Sequence, residues 1–473
     1  MIERFTSAIG PNKVVSDAQA LRAYDDDYSE ADRVTPVVAL LPTTVEEVQA
    51  VVRIANELRV PLTPRVAGTN VGGLAIPPPA GAVIDLRNMN RILSVNIDDM
   101  VAVIEPGVTQ QQLHDHLQDE RIPLTVGYSL GPKRSSILAN LTLDGLTNRS
   151  LKYGAMGEWT SGFEVVLADG SVVKTGAWAL SDVPFARSPF PDLTGLFVGW
   201  QGTTGIVTKA ALHLVPKHAL NERLFLLCYS IHGAYEVMRR LCKLELCDDI
   251  AGLSWPTGKM MLGVRRPHPI PNVGEPTFFL YVDLTANDHE EMSYKKHALG
   301  RVVEALRAEG EAYEHPLDVP SLVALDPRFS RFASFPTDLD FLTERGGLTW
   351  VGTYGPLSRF DETAQRGVDI MVRHGFAPAI VSRAMTGGHF GVLRFVALFE
   401  REDRAGIEAV KAMNLELLRA VTDAGFVMYK TPPWAMRELL PRLDPGMVKL
   451  MRRTRAMLDP LGILNPGKLP LGE

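Results

Sequence analysis

Apolar positions along the chain follow two periods. Val45, Val48, Val51, Val52, Ala55 and Leu58 recur at helical spacing, and Thr44-Val45-Glu46-Glu47 ahead of them reads as a capping box. Pro61 stops that helix. Short apolar runs at 60–65, 82–86 and 101–104 read as strands, the last ended by Pro106-Gly107. Thr109 is placed to cap a helix carrying Leu113 and Leu117. The alternation predicts a small α/β unit. A second unit begins near Leu124. In it, Asp169-Gly170 turns a hairpin between two valine-rich runs, 181–192 is a proline-rich surface loop, and 206–214 is a strand closed by Pro216.

The texture changes after residue 220. Apolar strands at 278–282 and 391–399 alternate with charged amphipathic helices at 297–309 and 408–420, the pattern of an antiparallel sheet covered by helices. A basic helix is predicted over 439–458, and 459–468 is extended and rich in turns.

A chain of 473 residues suits two or three domains, and 46% hydrophobic with 22% charged residues describes a globular protein that can bury a large core. The net charge of −6 and the lack of any basic tract argue against a nucleic-acid partner. No apolar run reaches membrane-spanning length and the start resembles no secretory signal, so neither a membrane nor export is expected. The three cysteines, Cys228, Cys242 and Cys247, lack zinc spacing and fit a reduced compartment. A cytoplasmic enzyme is the expectation.

The segment from Pro64 to Gly73 adds chemistry. Its residues Arg65, Val66, Ala67, Gly68, Thr69, Asn70 and Gly72 follow a strand, and the small ones let backbone N–H groups approach a ligand in a nest suited to a pyrophosphate. The string from Gly462 to Lys468 imitates a phosphate-binding loop, but Leu469 follows where Ser or Thr is required. No Gly-x-Gly-x-x-Gly fingerprint follows a strand, which speaks against a nicotinamide Rossmann domain.

Five stretches stand in order: 64–73, 102–108 with Pro106-Gly107, 162–176, 196–208 and 459–468. Together they resemble the FAD-linked oxidases of the vanillyl-alcohol oxidase / p-cresol methylhydroxylase fold. The resemblance implies an α+β architecture. A two-lobed FAD-binding domain over 1–219 is completed by a C-terminal return over 436–473, and a cap with an antiparallel sheet flanked by helices over 220–435 holds substrate above the flavin. It places Arg65 to Gly73 around the pyrophosphate. Ser135, Ser136 and Asn140 lie beside the diphosphate and ring, Gly162, Ile206 and Val207 toward the adenine, and Pro106, Gly107 and Gly205 also count among the expected cofactor contacts. Asn465 and Lys468 return to the flavin, where a cation stabilises the anionic reduced ring. A homodimer follows from the family alone.

Within that fold the vanillyl-alcohol side is the better match. Relatives that oxidise D-lactate or D-2-hydroxyglutarate carry a metal-binding His pair where this chain has Gly388-His389-Phe390-Gly391-Val392-Leu393-Arg394-Phe395, without the second His. Val427-Met428-Tyr429-Lys430 resembles the Tyr-Arg segment with which phenol oxidases bind phenolate. There are three departures. Asn70 stands where many relatives carry a flavin-linking His, and the FAD domain has no Cys, so bicovalent attachment is excluded while His374 and His389 remain candidates for a single bond. The loop 127–134 lacks the acid that phenol oxidases place near flavin N5. Lys430 replaces Arg, a point charge in place of a bidentate fork, so carboxylate and phenolate are both admissible.

The implied function is hydride transfer from an alcohol or aromatic (phenolic or benzylic) carbon to FAD. Tyr429 and Lys430 would orient substrate, His389 is a candidate base, and O₂ or an external acceptor reoxidises the flavin. Trp350 and Tyr354 are candidates for the cap pocket. A D-2-hydroxy acid dehydrogenase and a non-catalytic flavin-binding subunit are the alternatives.

Overall fold

The computed structural model describes residues 1–188, 190–270, 272–333, 336–337 and 346–471. Local rules set many of its elements. Thr44 caps the helix Val45–Leu58 by accepting a hydrogen bond from the Glu47 N–H, and Val48, Val51, Val52 and Ala55 are buried on its inner face. Thr109 does the same for Gln110–Asp119, which buries Leu113 and Leu117.

Three sheets organise the chain. The strands Val14–Val15, Ala39–Leu40, Ala82–Asp85 and Leu62–Arg65 form a four-stranded sheet in that spatial order, with the last three parallel. The C-terminal return is tied to it: the Leu62 N–H donates to the Ile463 carbonyl at 2.8 Å and the Asn465 N–H to the Leu62 carbonyl at 2.7 Å. A five-stranded antiparallel sheet follows, in the order Ile92–Asn96, Val101–Ile104, Ile206–His213, Thr160–Val166 and Val172–Lys174. The run 101–104 therefore belongs to the second lobe, not the first. Its partner Ile206–His213 lies a hundred residues away, a pairing that no local signal carries. The hairpin at Asp169-Gly170 is present.

The cap is built on an eight-stranded antiparallel sheet. Its central strands run Leu220–Cys228, Phe278–Ala286, Asp249–Ser254, Ile380–Met385, Phe390–Phe399 and Gly347–Gly355. The helices Ile231–Cys242, His289–Ala308, Phe360–Arg373 and Arg404–Asp423 supply buried residues to one core with these strands. The predicted helix over 439–458 is broken: Pro433–Leu439 and Pro445–Leu458 are separate helices, since Pro441 and Pro445 cannot continue a run of backbone donors.

Alternation along the cap strands positions the site. On Phe390–Phe399, Leu393, Phe395 and Ala397 enter the helix-covered core. Arg394, Val396 and Leu398 point the other way and line a cavity, as do Leu348 and Trp350 on Gly347–Gly355 and Val381 and Arg383 on Ile380–Met385. Cross-strand register holds these residues on one face, with Arg394 opposite Val381, Val396 opposite Trp350 and Leu398 opposite Leu348.

The two faces predict different costs. Phe395→Ala, on the core face, lowers unfolding stability by about 3–5 kcal/mol. Trp350→Ala, on the cavity face, lowers it by less than half as much, and urea denaturation of both variants measures the contrast.

Candidate functional site

The cavity, of about 330 Å³, lies between the loop after Leu62–Arg65 and the free face of the cap sheet. Its floor is the predicted pyrophosphate loop. Arg65, Val66, Ala67, Gly68, Thr69, Asn70 and Gly72 all line it. Among the described residues, the backbone N–H groups of 67–71 find no acceptor in the protein, which leaves free donors on the residues that line the cavity. Gly68 has φ 65° and is needed here: a Cβ would lie 2.4 Å from Arg65 Nη2, because the buried guanidinium runs directly beneath the loop. That guanidinium donates to the Asp26 carbonyl at 2.7 Å and the Ala23 carbonyl at 3.2 Å. Arg65 thus shapes the loop from below. Asn70 folds the loop onto itself, its Oδ1 accepting from the N–H groups of Gly72 at 2.7 Å and Leu74 at 3.2 Å.

The walls come from elements remote in sequence. Ser136 caps the helix Ile137–Thr142, and Ser135, Ser136 and Asn140 line the cavity together with Pro106, Gly205, Ile206, Val207 and Asn465. Asn465 donates through Nδ2 to the Gln201 carbonyl at 2.7 Å, and both side-chain oxygens, Asn465 Oδ1 and Gln201 Oε1, are buried without a partner. Unsatisfied buried acceptors beside a row of free N–H donors fit a ligand that offers both donors and acceptors, as the flavin and its diphosphate do.

Five sequence-predicted residues are placed elsewhere. Gly107 sits behind Pro106, where a Cβ would meet the Arg87 carbonyl oxygen at 2.3 Å. Gly162 pairs with Ala211 inside the five-stranded sheet, where a Cβ would meet the Thr175 carbonyl oxygen at 2.5 Å. Neither lines the cavity; tight backbone packing accounts for both glycines. Lys468 lies beneath the loop, donating to the Gly73 carbonyl at 2.7 Å, with burial lowering its pKa to about 8 against the opposing pull of Asp27. It braces the loop and does not reach the cavity. His389 is exposed in the turn before Phe390–Phe399, away from the cavity, because the turn between two antiparallel strands lies at the end of the sheet. Tyr429 does not line the cavity either, but it acts on a residue that does.

That residue is Arg394, which the sequence reading left out. It is only 8% exposed, its Cζ lies 4.2 Å from the centre of the Trp350 ring, and its Nη2 donates to the Tyr429 hydroxyl. Tyr429 in turn stacks on Tyr354 at 4.6 Å with the rings 9° apart, and the Tyr354 hydroxyl donates to the Asp144 carbonyl at 3.0 Å. Gly352 leaves room for this arrangement, since a Cβ there would meet both Trp350 and Tyr429 at 3.1 Å. Arg394 Nε is buried and unpartnered, and no carboxylate among the described residues pairs with the guanidinium. A lone arginine inside the otherwise apolar run 390–399 was the signal available in sequence.

Two further cations border the cavity. Arg383 is held by Asp249 at 2.8 Å and donates to the Thr147 carbonyl and the Tyr281 hydroxyl. Lys430 donates through Nζ to Asn140 Oδ1 at 3.0 Å, and its pKa falls to about 8, chiefly through burial and then through the charge of Arg394. His374 ends the helix Phe360–Arg373 and pairs with Glu416 at 2.8 Å, far from the cavity lining.

Residues 36–176 match the family model of the FAD binding domain, and residues 330–469 match that of the C-terminal domain of FAD linked oxidases. The chain belongs to the FAD-linked oxidases of the vanillyl-alcohol oxidase / p-cresol methylhydroxylase fold. It superposes on p-cresol methylhydroxylase with substrate bound at a TM-score of 0.86, with 21% identity, 99% of this chain and 96% of that one covered. A 4-ethylphenol oxidase from Gulosibacter chungangensis gives 0.85 at 20% identity over 99% and 96%. In sequence, a glycolate oxidase subunit of Bacillus subtilis is 31% identical over 50% of this chain and 49% of that protein. The 4-cresol dehydrogenase flavoprotein subunit of Pseudomonas putida is 33% identical over 46% and 42%. The matched stretch spans about half the length of these curated relatives. An uncharacterised FAD-linked oxidoreductase of Mycobacterium tuberculosis aligns over 99% of this chain and 98% of its own length at 27% identity.

FAD is the cofactor of this chain, and the nest at 67–71 with the free acceptors of Asn465 and Gln201 fits it. Neither His374 nor His389 lines the cavity, and the cap residues that do, among the described residues, are Thr257, Met260, Met261, Leu348, Trp350, Val381, Arg383, Arg394, Val396, Leu398 and Lys430. None of these forms a flavin link through imidazole, thiol or phenol. Acid precipitation is therefore expected to release the yellow flavin into the supernatant; colour held in the pellet would contradict that. Gly68→Val should lower the flavin-to-protein ratio at least tenfold with an unchanged far-UV circular dichroism spectrum, since the side chain displaces either Arg65 or the loop.

Proposed function

We propose that this chain is an FAD-dependent oxidoreductase that removes hydride from a hydroxyl-bearing or benzylic carbon of an apolar, aryl-containing substrate, and that Arg394 holds an anionic group of that substrate. The observation that carries the reading is Arg394 itself: a buried, permanently charged guanidinium with no carboxylate partner among the described residues, lying on the wall of the cavity. Burying an unpaired charge costs several kcal/mol, and a substrate carboxylate or phenolate offsets that cost through charge-assisted hydrogen bonds.

The apolar lining favours the aryl class. Leu130, Met260, Met261, Leu348, Val381, Val396 and Leu398 surround the cavity beside the indole of Trp350, a lining that suits a ring better than a short hydroxy acid. Tyr429 and Trp350 fix the guanidinium plane, so Tyr429 is a positioning residue for Arg394. Bound FAD supplies the two-electron acceptor, and O₂ or an external acceptor restores it. Oxidation of a D-2-hydroxy acid is the second reading, since Arg394 accepts a carboxylate equally well.

Anaerobic bleaching of the flavin tests the proposal. Para-(hydroxymethyl)benzoate or para-hydroxybenzyl alcohol should bleach it, and D-lactate should not; bleaching by D-lactate alone would favour the second reading. Arg394→Met is expected to weaken binding of the anionic substrate about 10- to 100-fold, the equivalent of a hydrogen bond to a charged group. An uncharged benzyl alcohol should be affected less than threefold.

A further inference from the structure

Among the described residues, the cavity is short of groups that can take a proton. None of the described residues that line it is Asp, Glu or His. The titratable ones among them are Tyr28, Arg65, Arg383, Arg394 and Lys430. The three guanidiniums stay charged at any working pH. Tyr28 sits by the pyrophosphate loop, its N–H bonded to the Asn70 carbonyl at 2.8 Å and its hydroxyl taken by Arg134. That leaves Lys430, between the helix Ile137–Thr142 and the strand that carries Arg394.

We propose that Lys430 is the general base of this site, its neutral amine taking the hydroxyl proton of the substrate as hydride leaves the adjoining C–H bond. The inference rests on the oxidoreductase reading above. It reassigns to Lys430 the role that sequence offered to His389, and leaves substrate-anion binding to Arg394. The balance is complete. The O–H bond breaks and its proton joins Nζ, giving the ammonium. The C–H bond breaks and its electron pair leaves as hydride to bound FAD, the oxidant, so the carbon is oxidised by two electrons and a C=O bond forms. The ammonium then releases its proton to water.

Geometry supports the role. Lys430 Nζ donates to Asn140 Oδ1 at 3.0 Å, so the amine is held at the wall by a neutral amide and keeps its lone pair available once deprotonated. No carboxylate among the described residues forms an ion pair with it. Two charged groups act on it from the surrounding elements: Arg394 disfavours the ammonium and Asp144 favours it, the first outweighing the second. With burial added, the pKa falls to about 8 from the ordinary 10.5. A base poised there is mostly protonated at neutral pH, so turnover should rise as pH passes through 8 and then level off.

The test uses the holoenzyme and para-(hydroxymethyl)benzoate. The rate of anaerobic flavin bleaching should climb with pH to a plateau, with a midpoint near 8. Lys430→Met and Lys430→Arg should both lose this pH step and fall about 100-fold or more. Added ethylamine should restore part of the rate in Lys430→Met. A second readout needs no turnover: reductive methylation of Lys430, followed by mass spectrometry across pH, should show a midpoint near 8. A methylation midpoint near 10.5, or Lys430→Arg retaining both rate and pH step, overturns the base assignment while the oxidoreductase reading stands. Wild-type flavin that no alcohol bleaches at any pH overturns that reading, and the base assignment with it.

Discussion

The structure turns on a guanidinium buried without a counter-charge among the described residues. Arg394 is enclosed by an indole face, a phenol and apolar strands, where its charge is worth little unless something completes it. Trp350 supplies a cation–π contact of about 2 kcal/mol in such a desolvated setting, and Tyr429 one hydrogen bond. Neither cancels the charge. On the proposed reading, a substrate anion offsets that cost.

The same charge governs its surroundings. It sits on the strand opposite Val381 and Gly352, so its place is set by sheet register and by the absence of a side chain at Gly352. The stack of Tyr429 on Tyr354, anchored to the Asp144 carbonyl, ties this corner of the cap sheet to the turn after the helix Ile137–Thr142. The cation also reaches Lys430, lowering its proton affinity together with burial. One buried charge thereby organises the aromatic wall, the proposed anion site and the protonation of the neighbouring amine. The cofactor side is built on the opposite principle, with neutral backbone donors held by Asn70, Arg65 and Lys468 from below.

Legibility followed the length of the physical signal. Capping at Thr44 and Thr109, the Asp169-Gly170 hairpin and the glycine-bearing loop at 64–73 rest on residues within a few positions of one another, and all were readable. The pairing of 101–104 with 206–213 was not, because antiparallel partners separated by a hundred residues leave no local trace. Motif position also misled. Gly107 and Gly162 belong to recognisable strings, yet backbone crowding explains them, and His389 falls in a hairpin turn at the end of the sheet. Arg394 stood in the open, a lone arginine inside the apolar run 390–399, but a single charge on a strand reads as a surface position until the elements that cover it are known.

By itself the sequence determined the two hydrophobic periods, the glycine-bearing loop at 64–73 and, through the order of its motifs, the fold, since these depend on local backbone chemistry and on residue order. Tertiary structure decided which polar side chains meet. It buried Arg394 by closing the cap sheet over the cavity, moved Lys468 below the loop and brought Lys430 to Asn140 across 290 residues. The reason is that charge acquires its meaning from burial and from neighbours, and both are fixed only when distant strands come into register.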